Sequence, residues 1–161
     1  MTPALPLMRD ETFLEEHRRI HMRLLRLKKF AAPDSGFPTA LSALVACMDE
    51  IEALLPDLSE HFNKEERVVR GAPVTTPPSE QLQKAEQIVA EHQPLVRELR
   101  ALLESGRQVV EEFRAGQDAG SMGEALKAYL TACAQDLLEH EEKERQVLLW
   151  GAERTTEKEK K

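Results

Sequence analysis

Residues 51–69 read IEALLPDLSEHFNKEERVV, and their apolar side chains recur at alternating steps of three and four residues. This spacing places them on one face of an α-helix, because residues three and four apart lie on the same side. His61 and Glu65 occupy two positions of that same face, which would otherwise be apolar. The segment therefore predicts a long amphipathic helix that carries an imidazole and a carboxylate into a protein core.

Four segments show this helical period, and turn-forming residues separate them. The predicted helices cover about residues 10–31, 40–71, 79–115 and 121–150. Asp10 is the expected N-cap of the first helix, and Ser121 with Glu124 has the spacing of a capping box for the fourth. Pro56 lies inside the second helix and is expected to kink it about one turn before His61.

Each predicted helix has one face that is mostly apolar. In chain order these faces comprise Phe13, His17, Ile20, Leu24 and Leu27; Leu44, Cys47, Ile51, Leu54, Leu58, His61, Glu65 and Val68; Leu82, Ala85, Val89, His92, Val96, Leu99, Leu103, Gly106, Val110 and Phe113; and Leu126, Leu130, Cys133, Leu137, His140, Glu144 and Val147. Four such helices with short connections predict an all-α fold, an antiparallel up-down-up-down four-helix bundle. We expect one domain over residues 1–152 and a charged, disordered tail over 153–161.

Composition excludes several classes of function. The net charge of −7 argues against nucleic-acid binding, which needs a basic surface. The basic residues crowded between Arg18 and Lys29 read best as a solvated helix face, with an anionic partner as the alternative. The sequence shows neither an export signal nor an apolar run long enough for a membrane span. Cys47 and Cys133 form no CxxC pair and fit a reducing cytoplasm; they read as buried small hydrophobes, with redox sensing as the alternative.

Histidine and glutamate interrupt the apolar faces in a regular way. The interrupting residues are His17, His61, Glu65, His92, His140 and Glu144. An ionised carboxylate buried without a partner is very unfavourable, so this set needs a common explanation. A bound cation supplies it, because the cation neutralises the carboxylates and uses the histidine lone pairs. The equal four-residue spacing of His61 to Glu65 and His140 to Glu144 lets each helix offer both ligand types to one centre.

Depth along the helices supports a common level for most of the set. Counted from the helix ends, His61 and Glu65 match His92, and His92 matches His140, to within roughly 10 Å. His17 and His61 match less well, since His17 lies about 14 residues before its helix ends and His61 about 22 after its helix begins. The intervening loop and the Pro56 kink would have to absorb that difference.

The ligand types narrow the choice of metal. Four imidazoles and two carboxylates exceed what one tetrahedral zinc ion takes, and calcium and magnesium prefer all-oxygen sites. The mixture suits a pair of iron ions, or less well manganese, with the two glutamates bridging the pair. The ferritin-like di-iron pattern places Glu three residues before His, whereas here His precedes Glu by four.

Four short pieces of the sequence resemble the hemerythrin-like (HHE cation-binding) family. They are EEHRRI around His17, EHFNKEE around His61, AEHQPLV around His92 and LEHEEKE around His140. The resemblance covers about residues 10–150. It implies two iron ions joined by Glu65, Glu144 and a bridging oxo or hydroxo group, with His17 and His61 on one iron and His92 and His140 on the other.

The resemblance also contains a departure. Oxygen-carrying members of the family have a fifth histidine four residues after the one on the third helix, and here that position is Val96. This difference leaves one iron short of a ligand and argues against reversible oxygen carriage. His21, one turn after His17, is a candidate extra ligand or an outer residue that contacts the ligands. Glu66 is expected to point off the buried face into solvent.

The expected function is the binding or sensing of a small diatomic ligand (oxygen or nitric oxide) or of iron, rather than an enzymatic activity. The alternative is a di-iron redox enzyme or an iron-donating repair factor in oxidative or nitrosative stress. A third hypothesis is a metal-free bundle that serves as an interaction module. Eight apolar residues one turn from the ligands are expected to restrict water at the site: Ile20, Leu24, Leu58, Val68, Val89, Val96, Leu137 and Val147.

Overall fold

The computed structural model describes residues 11–71, 79–117 and 120–149, and these ranges contain four α-helices and no strand. The helices are α1 (Glu11–Phe30), α2 (Leu41–Arg70), α3 (Glu80–Arg114) and α4 (Gly120–Glu144), and a π-helical turn (Arg145–Leu149) continues α4. The all-α prediction is confirmed. Asp10 and the tail over 153–161 lie outside the described residues. Within those ranges, no helix is both long and apolar enough to cross a bilayer.

Side-chain contacts between helices give the direction of each helix. The pairs are Glu16 with Lys64 and Arg23 with Asp57 between α1 and α2; Glu66 with His92 and Asp49 with Arg107 between α2 and α3; and Gln81 with Val147 and Glu98 with Tyr129 between α3 and α4. In each of these three pairs of consecutive helices, residue numbers rise along one helix as they fall along the other, so consecutive helices are antiparallel. Contacts between α1 and α4 close the bundle into a ring.

The loop between α1 and α2 compensates for unequal helix lengths. His17 lies 13 residues before the end of α1, whereas His61 lies 20 residues after the start of α2. At 1.5 Å per residue, α2 therefore extends about 10 Å farther than α1 at this end of the bundle. The loop over residues 31–40 spans that difference and buries Phe37 in the core, and Pro38 packs against Gly123 of α4. The mismatch in depth noted from the sequence is thus absorbed by the loop.

The apolar core consists of two clusters. The larger one contains residues from all four helices, among them Leu24, Ile51, Leu99 and Leu130. The smaller one joins the start of α1 and of α3 to the end of α2, through Phe13, Leu14, Val68, Val69, Ala85 and Ile88. Burial of these side chains supplies the main driving force for folding. The buried histidines and glutamates lie between the two clusters.

The buried face of α3 differs from the predicted one by a single position. Ile88, Leu95 and Leu102 are buried, whereas the predicted Val89, Val96 and Leu103 are only partly buried. The sequence has adjacent apolar residues at each of these levels, so periodicity alone selects either neighbour. Because adjacent residues lie about 100° apart around the helix, the correction rotates the buried face while leaving His92 and Leu99 on it.

Two helix ends differ in detail from the prediction. Ser121 lies within α4, which includes Gly120, so Ser121 is not the N-cap residue. Ser79 caps α3 as expected, and its side chain accepts a hydrogen bond from the Leu82 N–H. Gly116 follows α3 with φ +80°, a left-handed conformation that favours glycine. Gly71, by contrast, ends α2 with an ordinary right-handed φ of −83°.

Gly106 allows α3 to approach α2 closely. A Cβ at this position would lie 2.0 Å from Sδ of Met48, a side chain that is fully buried. We expect Gly106→Ala to lower the free energy of unfolding, because displacing Met48 costs about 1–3 kcal/mol. Alanine favours the helix over glycine by about 1 kcal/mol, which offsets part of this cost. The expected net decrease in the free energy of unfolding, measured by urea denaturation, is therefore up to about 2 kcal/mol. A double-mutant cycle with Met48→Ala should show favourable coupling; a Gly106→Ala variant more stable than the parent would contradict this packing.

Cys47 and Cys133 are buried in the larger cluster. Burial raises the pKa of each thiol to about 12, with nearby carboxylates adding to the effect. Since the thiolate is the reactive form, we expect both to react with a disulfide reagent at pH 7 on the order of 10³-fold slower than an ordinary cysteine. Unfolding in guanidinium should expose both thiols, so that they react at the rate of an ordinary cysteine. Fast reaction of either thiol in the folded protein would instead favour the redox-sensing alternative.

Candidate metal centre

The structure brings the six predicted residues together in one buried layer. His17 on α1, His61 and Glu65 on α2, His92 on α3, and His140 and Glu144 on α4 are all at least 94% buried. The helical spacing explains the arrangement, because His61 and Glu65 lie one turn apart on α2 and His140 and Glu144 lie one turn apart on α4. The single histidines of α1 and α3 lie across from these pairs.

Glu144 lies at the middle of the layer. Its Oε1 lies 2.5 Å from Nε2 of His140 and 3.7 Å from Nε2 of His92. Its Oε2 lies 3.3 Å from Nε2 of His17 and 3.5 Å from Nε2 of His61. One carboxylate therefore presents one oxygen to the α3 and α4 histidines and the other oxygen to the α1 and α2 histidines.

Glu65 repeats this two-sided arrangement. Its Oε1 lies 2.5 Å from Nε2 of His61, and its Oε2 lies 3.0 Å from Nε2 of His92. Thus both buried carboxylates span the two pairs of histidines, and all four imidazoles turn Nε2 inward.

The inward atoms lack ordinary hydrogen bonds. Nε2 of all four histidines, both oxygens of Glu65 and Oε1 of Glu144 are buried without a hydrogen-bond partner of acceptable geometry. Leaving such atoms unpaired in a core is costly, whereas imidazole nitrogens and carboxylate oxygens are good ligands for a cation. Two groups of atoms are close enough to share an ion: Glu65, His92, His140 and Glu144 in one, and His17, His61 and Glu144 in the other. The residues therefore fit two cations that share Glu144.

The pKa values of the buried groups are shifted by burial and by the interactions between the carboxylates and the imidazoles. Burial works to lower the pKa of His61, but Glu144 and Glu65 outweigh it and raise that pKa to about 11. The same two carboxylates raise the pKa of His92 to about 9 against the effect of burial. Burial and the charge of Glu144 raise the pKa of Glu65, whereas the four imidazoles overcome burial and hold the pKa of Glu144 well below its usual range.

A small cavity of about 10 Å³ lies against the layer on the side of His17 and His61. Its apolar wall is formed by Ile20, Leu24, Leu58, Phe62 and Leu137, and its polar wall includes His17, His61, His140 and Glu144. This is about the smallest volume that can hold one water molecule. Of the eight apolar residues predicted to restrict water at the site, four line this cavity. Val68 belongs to the smaller apolar cluster instead, Val89 and Val147 pack against that cluster, and Val96 lines a separate surface groove.

His21 and Val96 lie outside the layer. His21 has a side chain that is 47% exposed, and its Nδ1 lies 2.7 Å from Glu141 rather than near Glu65 or Glu144. Val96 is partly buried in a groove between α2 and α3. In this structure His21 therefore contacts Glu141, the chain neighbour of His140, and not the carboxylates of the inner layer.

Four glutamates that were not predicted to belong to the site lie outside the imidazoles. Glu16, Glu66, Glu91 and Glu141 each face the Nδ1 atom of a buried histidine. Glu66 points off the inner layer and its side chain stays 21% exposed, but its Oε1 also lies 3.3 Å from Nδ1 of His92, a contact that was not predicted. A signal was present in the sequence, since each of these glutamates is the immediate neighbour of an inner histidine or glutamate. Adjacent residues diverge by about 100° on a helix, which directs the outer glutamate toward the next helix.

Comparison with known proteins agrees with the interpretation of the buried layer as a metal site. The family model described as hemerythrin HHE cation binding domain matches residues 8–150. The searches of curated proteins and of solved structures give no significant match. The family match spans all six residues of the buried layer and the four outer glutamates.

Proposed function

The chain belongs to the hemerythrin HHE cation-binding domain family and has a buried His/Glu cluster that fits a metal site; from this premise we propose that it is a two-iron protein that binds or senses a small diatomic ligand. The observation that carries the proposal is the pair of two-sided carboxylates between two pairs of inward imidazoles. A single ion would leave several of these donors unused, whereas two ions would use them all.

The proposed ligands divide into two sets. His17 and His61 would hold one iron, and His92 and His140 the other, while Glu65 and Glu144 would bridge them. Two Fe²⁺ ions bring four positive charges, which balance the two carboxylates and one bridging hydroxide to within one unit. Such a centre can remain buried, because its residual charge is small.

The site is more open on the side of His17 and His61. The small cavity with the apolar wall adjoins His17 and His61, whereas His92 and Glu65 do not line it. When bound, a ferrous pair supplies electrons to oxygen or holds nitric oxide directly. The chain supplies a small cavity beside the proposed metal site, which is too small for a bulky substrate and whose apolar wall leaves room for about one water-sized molecule.

Reconstitution with Fe²⁺ under anaerobic conditions tests the proposal. We expect about two irons per chain, followed by a visible absorption band when oxygen or nitric oxide is admitted. A band that persists and reverses on removal of the gas supports binding or sensing. Catalytic consumption of peroxide, or release of iron to an acceptor protein, would favour the redox-enzyme or repair alternative. A chain that retains no iron would overturn the proposal.

A cavity-filling variant tests the position of the ligand. Leu24→Phe should retain about two irons but bind the gas at least about tenfold more weakly, because the larger ring occupies the cavity. Met22→Phe is the matched control, since Met22 lies on the same helix and is exposed. Unchanged gas binding by an iron-loaded Leu24→Phe variant would place the ligand elsewhere.

A further inference from the structure

The outer glutamates follow a cyclic order around the bundle. Glu16 of α1 faces His61 of α2, and Glu66 of α2 faces His92 of α3. Glu91 of α3 faces His140 of α4, and Glu141 of α4 faces His17 of α1. Every helix therefore provides one histidine to the centre and one carboxylate to the histidine of the next helix.

The four contacts differ in length. Glu16 and Glu66 lie 3.1 Å and 3.3 Å from the Nδ1 atoms that they face, within hydrogen-bond distance. Glu91 and Glu141 lie 3.8 Å from theirs, which is a close electrostatic contact but too long for a hydrogen bond.

Each outer glutamate also has a basic partner on its outer side. Glu16 lies 2.7 Å from Lys64 and Glu91 lies 3.0 Å from Lys143. Glu66 lies 3.7 Å from Arg70, and Glu141 lies 2.7 Å from His21. These partners anchor the carboxylates at the rim, so that each carboxylate is held between a surface base and a buried imidazole.

We propose that Glu16, Glu66, Glu91 and Glu141 form a ring of positioning residues that keep the four imidazoles with Nδ1 outward and Nε2 free to bind metal. Glu16 and Glu66 act through hydrogen bonds, and Glu91 and Glu141 act through their charge. The proposal rests on the two-iron function above. An imidazole that donates Nδ1–H to a carboxylate has its lone pair on Nε2, its ring orientation fixed and its basicity raised. A helix-to-helix ring would orient all four ligands together, because each helix positions the ligand of its neighbour.

Titration with Co²⁺ tests the ring, since the visible absorption of this ion depends on the geometry of its ligands. We expect Glu16→Leu to weaken Co²⁺ binding by about 10- to 100-fold and to alter the spectrum. Glu16→Gln should restore much of both, because the amide oxygen can still accept from Nδ1–H of His61. Glu15→Leu is the control, since Glu15 is the exposed neighbour of Glu16. Glu66→Leu should behave like Glu16→Leu, and Glu91→Leu should have a smaller effect.

The outcomes separate this inference from the proposed function. A parent protein that binds no Co²⁺ and no Fe²⁺ would contradict the proposed function itself. A parent that binds two ions, together with a Glu16→Leu variant equal to Glu15→Leu in affinity and spectrum, would overturn the ring alone. Equal losses in Glu16→Gln and Glu16→Leu would also overturn it, because the hydrogen-bond acceptor would then be irrelevant.

Discussion

Glu144→Ala should abolish metal binding while the bundle stays folded. Glu144 lies within 3.7 Å of the Nε2 atoms of all four histidines, so its removal takes a carboxylate from both proposed ions at once. We expect iron content to fall from about two per chain to below about 0.2. Helical content should persist, because alanine favours helices and the change removes a buried charge. Metal analysis and circular dichroism of the same preparation measure both quantities.

Two controls accompany this variant. Glu139→Ala changes an exposed glutamate on the same helix and should leave the iron content unchanged. His21→Ala should also retain most of the iron, because His21 contacts Glu141 rather than the inner layer. Glu65→Ala should resemble Glu144→Ala, since Glu65 is the other two-sided carboxylate. If His21→Ala lost iron as completely as His61→Ala, the proposed division into inner ligands and outer residues would be wrong.

Removal of the metal should strongly lower the thermal stability of the parent protein. The inner layer places two carboxylates and four imidazoles in the core, and a cation is what makes their burial favourable. A ligand present at 1,000 times its Kd stabilises the folded state by about 4 kcal/mol. For a domain of this size we therefore expect Tm to fall on the order of 10 °C when a chelator removes the iron.

The comparison is made by thermal denaturation with saturating Fe²⁺ and with a chelator, both without oxygen. Glu144→Ala provides the internal control, because its Tm should not respond to either addition. A parent protein with the same Tm in both solutions would show that the buried polar layer is stable without metal, and would remove the main argument for a resident cation.

The sequence was sufficient for the helices and for the inner layer. Histidines and glutamates on otherwise apolar faces are detectable because charge in a core is rare, and four-residue spacing fixes which of them share a face. Periodicity could not distinguish Val96 from Leu95 on α3, since both are apolar and only packing against α2 and α4 selects one. Nor could it assign Glu66, because a glutamate beside a buried position is usually solvated and its contact with His92 depends on the crossing of two helices.

Loop geometry was likewise beyond the sequence. The distance from the helix end to His17 suggested a mismatch with His61, and only the position of the loop with buried Phe37 resolves it. Ser121 had the spacing of a cap residue, but the helix begins before it. Local preferences at helix ends are weak, and packing at the end of a bundle readily shifts a boundary by one or two residues.

The polar layer divides the apolar core into two unequal parts. Beyond it, the smaller cluster joins the first turns of α1 and α3 to the last turns of α2, and the inner side chains separate this end from the larger cluster. A cation bound by the polar layer would therefore raise the free energy of local opening more at the end with the smaller cluster than at the opposite end of the bundle. Bound iron would then be detectable as slower amide hydrogen exchange in these helix turns. They lie at the end of the bundle far from the loop that contains Phe37.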